Sequence, residues 1–110
     1  MKIKKEKLNN ISKYSLIGRL DSNTKDIYEK EVLEDFSETN NKVIIDFGEL
    51  DYISSAGLRM LLMSAKTIKK SNGKIVLFAM KDFIKEVFDM AGFTPLFIIM
   101  QTQKDAIAEF

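Results

Sequence analysis

Asp51-Tyr52-Ile53-Ser54-Ser55-Ala56-Gly57-Leu58-Arg59-Met60-Leu61-Leu62 is the most informative stretch of the chain. An acidic turn leads into two adjacent hydroxyls, a small Ala-Gly pair and then an apolar helix. Such a junction sets Ser54 and Ser55 at a helix N-terminus, where unpaired backbone N–H groups and the helix dipole favour negative charge. A phosphate placed there would be well received. From chemistry alone, the serine pair reads first as a helix N-cap, contributing about 1 kcal/mol.

Working outward, Leu58, Leu61, Leu62, Ala65 and Ile68 recur at spacings of three and four, so a helix follows the serines. It ends at Lys69-Lys70-Ser71-Asn72-Gly73, with basic residues at its negative end and Gly at the stop. Upstream, Lys42-Val43-Ile44-Ile45-Asp46-Phe47 predicts a central, largely buried strand, with Gly48 to Ile53 as a connecting loop. Downstream, Lys74 to Ala79 repeats the strand pattern. Lys81 to Ala91 is amphipathic, and its Phe83-Ile84-Val87-Phe88 stripe is expected in the core, with Met90 on the same helix. Gly92 closes that helix, Leu96 to Met100 predicts a last short strand after Pro95, and a helical tail starts at Gln103.

At the other end, Lys2 to Leu8 and Ile11 to Leu20 predict two strands joined at Asn9-Asn10. Asp21-Ser22-Asn23-Thr24 supplies several candidate N-caps. The helix after them carries Ile27, Val32, Leu33 and Phe36 and is expected to run to about Thr39, where Asn40-Asn41 breaks it. The predicted order is β-β-α-β-α-β-α-β-α: an α/β fold over residues 1–110 as one domain, with a mixed sheet of four to five strands, right-handed crossovers and about four helices.

With 17 basic and 16 acidic residues the formal charge is +1, which offers no general attraction to nucleic acid or membranes. Lys2, Lys4, Lys5 and Lys7 are interspersed with Ile3, Glu6 and Leu8, which suits an exposed strand face better than a targeting peptide. Cysteine and histidine are absent. Disulfides, thiolate or imidazole metal sites, and Ser–His or Cys–His catalysis are therefore excluded. No EF-hand spacing occurs, and no metal or cofactor is expected. Apolar runs such as Pro95 to Met100 are too short to span a bilayer, so membrane insertion is not expected; without a signal-peptide pattern the cytoplasm is the expected location.

Gly57 does not belong to a P-loop, because the GxxxxGK[ST] spacing is missing. Nor is there a G-x-S-x-G nucleophile elbow. Asp21, Asp46 and Asp51 raise an acidic cluster of the kind found in response-regulator receivers. The first strand, however, is followed by Asn9-Asn10 in place of paired acids. Asp21 reads equally as a helix cap or a partner contact. Met60 and Met63 lie off the main apolar face beside Arg59 and Lys66; they suit either an adaptable protein contact or packing beneath a neighbouring helix.

Nearly the whole chain resembles a STAS domain of the anti-sigma factor antagonist type. The resemblance runs from Gly18-Arg19-Leu20-Asp21 through Val43-Ile44-Ile45-Asp46-Phe47 to Phe88-Asp89-Met90-Ala91-Gly92-Phe93 and is most specific around Ser54-Ser55-Ala56-Gly57-Leu58-Arg59. The family motif typically runs Asp-Ser-Ser/Thr-Gly-Leu-Gly, with its first Ser phosphorylated at the start of the second helix. Aligned on Gly57-Leu58, that serine is Ser55, with Ser54 the lesser candidate. The family's acidic neighbour becomes Ser54, its following hydroxyl becomes Ala56, and its last Gly becomes Arg59, one helical turn after Ser55.

The resemblance implies a bacterial partner-switching protein in transcription regulation. Unphosphorylated, it would bind an anti-sigma factor serine kinase and release a sigma factor; phosphorylation of Ser55 would break that complex, and a PP2C-type phosphatase would reset it. The expected contact surface comprises Asp21, Ser54, Ser55, Ala56, Gly57, Arg59, Met60 and Met63. The chain would be a substrate and binding protein with no catalysis of its own, monomeric or weakly dimeric, without direct nucleic-acid contact. Two other roles fit the same fold: a STAS subunit of a lipid- or anion-transport assembly, and a small-ligand or nucleotide-sensing module.

Overall fold

The computed structural model describes residues 1–110, and its elements run in the order expected. Strands β1 (Lys2–Leu8) and β2 (Ile11–Leu20) form an antiparallel hairpin whose turn places Asn9 at φ 57°, a left-handed position that Asn tolerates. Helix α1 (Lys25–Glu31) leads to β3 (Lys42–Ile53), then α2 (Ser55–Lys70), β4 (Lys74–Phe78), α3 (Asp82–Met90), β5 (Ile98–Met100) and α4 (Gln103–Ile107). The five strands lie in the order β1-β2-β3-β4-β5, and every pair after the hairpin is parallel.

The two faces of the sheet are covered unequally. On one, Tyr14, Leu16, Val43, Ile45, Phe47 and Leu77 pack with Tyr28 of α1, Leu58 and Leu61 of α2, and Ile84 and Phe88 of α3. On the other, a smaller cluster joins Ile11, Ile44, Val76 and Phe78 to Ala106 of the short α4. Strand β3 feeds both clusters, as a continuous apolar run in a central strand requires.

Gly48 to Ile53, expected as a loop, continues β3. The alternation breaks there because the pairing of β3 with β2 shifts twice, between Ser15 and Ile17 and between Gly18 and Arg19. Each shift adds a residue to β3 and flips its inward parity. Val43, Ile45 and Phe47, then Leu50, then Ile53 therefore all reach the same core, although the last two steps are of three residues.

Three other expectations need correction. The first helix stops at Glu31 instead of Thr39 and is followed by a 3-10 turn, Leu33–Asp35. Asn40 reaches back to donate from Nδ2 to the Asp35 carbonyl (2.9 Å), and Phe36 turns edge-on to Tyr14, so tertiary partners replace the next helical turn. In α3, Ile84 and Phe88 are buried, but Phe83 is 50 % exposed and Met90 89 % exposed. A nine-residue helix offers the core one narrow stripe, and Phe83 stands a full residue step round from Ile84. The last strand begins at Ile98, because Pro95 seeds a 3-10 turn over Thr94–Leu96.

Candidate functional site: the β3–α2 junction

The end of β3 and the end of β2 lie side by side, with Leu20 paired to Ile53. The ladder extends one step further, where the Ser54 N–H donates to the Leu20 carbonyl at 3.0 Å. Ser54 has extended backbone (φ −99°, ψ 176°), and its Oγ accepts from the Gly57 N–H at 3.3 Å. Its carbonyl accepts from Leu58 N–H at 2.9 Å. Ser54 is thus the N-cap of α2, as its residue type favours.

Ser55 is the first residue of the helix proper and is exposed. Its hydroxyl makes no hydrogen bond within the chain, and the backbone N–H groups of Ser55 and Ala56 have no intrachain acceptor. Behind them, a Cβ on Gly57 would stand 2.6 Å from the Leu20 carbonyl oxygen and 2.8 Å from Ile53 Cγ1. Glycine is therefore required for the first turn of α2 to dock on β2. Gly57 is buried, so its part in the site is to seat the serines; it presents no side chain to a partner.

Arg59 is exposed one turn after Ser55 and makes no ion pair. Met63, a further turn along, is 44 % exposed. Met60 is only 8 % exposed and belongs to the main core. Its expected place on the contact surface is corrected: it packs beneath the neighbouring elements, as its alternative reading had it.

Asp21 is half-buried in the turn after β2. Its Oδ1 accepts from the N–H groups of Asn23 (2.9 Å) and Thr24 (3.2 Å), and its Oδ2 lies 3.5 Å from Arg19 Nε. Partial desolvation pulls the carboxyl pKa up. The N–H donors, the Thr24 hydroxyl and Arg19 together outweigh it and hold the group below the usual carboxylate range. The three carboxylates read as a cluster are separated, each with its own cation. Asp21 has Arg19, Asp51 holds Lys81 at 2.7 Å, and Asp46 faces Lys13 at 3.9 Å on the side of the sheet that α4 partly covers. No group of three carboxylates is placed to hold a metal ion.

Two residues beside the serines escaped the sequence reading. Arg19 and Tyr52 are register partners on β2 and β3, and the guanidinium stacks over the Tyr52 ring at 4.1 Å. A signal for the pair existed in the two strand ends, but finding it needed the register shift between Gly18 and Arg19.

The family model for the STAS domain matches residues 2–106. The chain belongs to the STAS domain family. BtrV of Bordetella bronchiseptica, a candidate anti-sigma factor antagonist, is 34% identical over 110 residues, covering 100% of this chain and 95% of BtrV. Among solved structures, a candidate anti-sigma factor antagonist of Thermotoga maritima superposes with a TM-score of 0.90 at 18% identity, covering 97% of this chain and 92% of that one. The Bacillus anti-sigma factor antagonist SpoIIAA in its unphosphorylated form gives 0.82, also at 18% identity, over 98% of this chain and 95% of its own. At such identities the two structures establish the shared STAS fold; the relation to anti-sigma factor antagonists rests on BtrV.

Proposed function

We propose that this STAS protein is an anti-sigma factor antagonist switched by phosphorylation of Ser55. Unphosphorylated, it binds an anti-sigma factor serine kinase through the surface around Ser55, Ala56, Arg59, Met63 and Asp21, and so frees a sigma factor. The kinase then transfers the γ-phosphoryl group of ATP to Ser55 Oγ: the O–P bond forms as the bond from phosphorus to the β–γ bridging oxygen breaks, and the serine proton passes to a base of the kinase. A PP2C-type phosphatase hydrolyses the ester and resets the cycle. The relation to BtrV supports the antagonist role, and SpoIIAA has been solved in a phosphorylated as well as an unphosphorylated form.

One observation carries the choice of serine. The Ser54 hydroxyl is engaged as the helix cap, whereas the Ser55 hydroxyl is exposed and unbonded. Phosphate at Ser55 adds about −1.5 to −2 charges to a surface of hydroxyls and small residues. The free N–H groups of the helix start and the Arg59 cation accommodate that charge within the chain, so α2 stays folded. A partner packed closely over Ala56 meets the added bulk and desolvation cost instead. Release then follows without refolding of the domain.

The test is phosphorylation with the candidate kinase and ATP, mapped by mass spectrometry. A single phosphate on Ser55 is expected, absent from Ser55→Ala. Incorporation on Ser54, or none at all, would overturn the proposal.

A further inference from the structure

At the end of α2 remote from Ser55, the helix layer is incomplete. Helix α2 has 16 residues and α3 only 9, and beside the C-terminal half of α2 the layer stays open towards the half-buried β5. A groove of about 370 Å³ opens there between the C-terminal half of α2 and the 3-10 turn that leads into β5. Leu62 and Ala65 form one wall, Leu96 and Phe97 the other. Phe97 stands edge-on against the buried Phe88 at 5.6 Å, which fixes that wall, and Leu96 is 54 % exposed above it.

The charged residues that line the groove are all basic. Lys66, Lys69 and Lys74 line it and no acidic residue does, although the chain as a whole is almost neutral. Lys74 is engaged by Glu109, but Lys66 and Lys69 are exposed and make no ion pair. Leu62, Ala65, Lys66 and Lys69 follow one another at i, i+3, i+4 and i+7. They make an apolar strip beside a basic one on a single helix face, with small Ala65 permitting close approach.

We propose that this groove is a second docking surface, for an amphipathic helix of a partner protein with apolar anchors along one face and acidic residues beside them. Apolar anchors at helical spacing match the strip along α2, and the acidic flank matches Lys66 and Lys69. Lys66 lies eleven residues along α2 from Ser55, about 16 Å of helix rise, which exceeds the roughly 8 Å over which charge is screened at physiological salt. Docking here is therefore indifferent to the state of Ser55. The protein keeps one partner through the switch while it exchanges another. The docking itself goes beyond the phosphorylation reading; only the retention of this partner through the switch rests on that reading.

The test is a titration of the isotope-labelled full chain, followed by backbone amide resonances. The probe is a synthetic helix of about 15 residues with Leu at i, i+3, i+4 and i+7 and flanking Glu. The amides of Leu62 to Lys69 and Leu96 to Ile98 are expected to shift. Lys66→Glu combined with Lys69→Glu is expected to weaken binding about tenfold or more, with the amide spectrum of the free variant away from these positions unchanged as the sign that the fold is kept. Ser55→Asp is expected to leave binding within about twofold. Shifts elsewhere or none, equal binding of a Lys-flanked version, or a tenfold effect of Ser55→Asp would overturn the proposal. So would decanoate shifting these amides where the peptide does not, which would make the groove a site for small amphiphiles.

Discussion

Gly57 and Leu20 meet at a distance that no other residue type at position 57 could keep, since a Cβ there would lie 2.6 Å from the Leu20 carbonyl oxygen. That oxygen is not free to retreat, because it accepts the Ser54 N–H at 3.0 Å. One contact thus sets both the seat of α2 on the sheet and the position of the serine pair.

Gly57→Ala must either push α2 away from β2 or break the Leu20–Ser54 bond. A loss of about 1–3 kcal/mol is expected in urea unfolding, with slower phosphorylation of Ser55 as its presentation shifts. A variant as stable as the wild type would show that the close approach is absent in solution.

Ser54 and Ser55 separate by their effect on folding. Ser54→Ala removes the cap to Gly57 N–H and should cost about 1 kcal/mol. Ser55→Ala removes an exposed hydroxyl with no partner and should change stability by less than about 0.5 kcal/mol. The same unfolding experiment compares them, and the reverse order would exchange their roles.

Binding separates them again. Ser55→Asp carries only part of the charge of a phosphate, yet it should weaken association with the kinase by about tenfold or more. The fold should tolerate it, since a carboxylate suits a helix N-terminus. Ser55→Ala should bind like the unphosphorylated wild type and resist release by ATP. Calorimetric titration of the three forms reads both effects.

Tyr28 and Ser64 join α1 to α2 in the core through a hydroxyl pair at 2.7 Å, both residues fully buried. Ser64 also bonds the Met60 carbonyl at 2.9 Å, so Tyr28→Phe leaves it partnered and should cost about 1 kcal/mol. Ser64→Ala strands the phenol and should cost about 1–3 kcal/mol, with the double variant recovering part of that loss.

Burial also pushes the Tyr28 phenol well above its ordinary pKa of 10.0, and its bond to Ser64 opposes this only in part. With the folded pKa raised, the stability tied to this group is complete below pH 10.0 and declines as pH climbs above it, because the unfolded chain releases the proton first. Tyr28→Phe should flatten that alkaline decline in unfolding experiments run across pH. An unchanged slope would remove Tyr28 as its source.

Local chemistry settled much of this protein from the sequence alone. Asn9-Asn10 could only turn, Lys42 to Phe47 was too apolar and β-branched for an edge, and Leu58, Leu61 and Ile68 set the inward face of α2. The element order and the helix start at the serines followed from such short-range patterns. What the sequence left undecided depended on groups distant along the chain. The edge-on packing of Phe36 against Tyr14 holds the chain after the first helix out of a further helical turn, and two register shifts against β2 turned an apparent loop into six more residues of β3. Tertiary packing buried Met60 while leaving Phe83 exposed. It also divided the serine pair, because the Leu20 carbonyl that positions Ser54 comes from a strand more than thirty residues earlier. With Ser54 held as the cap, Ser55 is left facing solvent with its hydroxyl free.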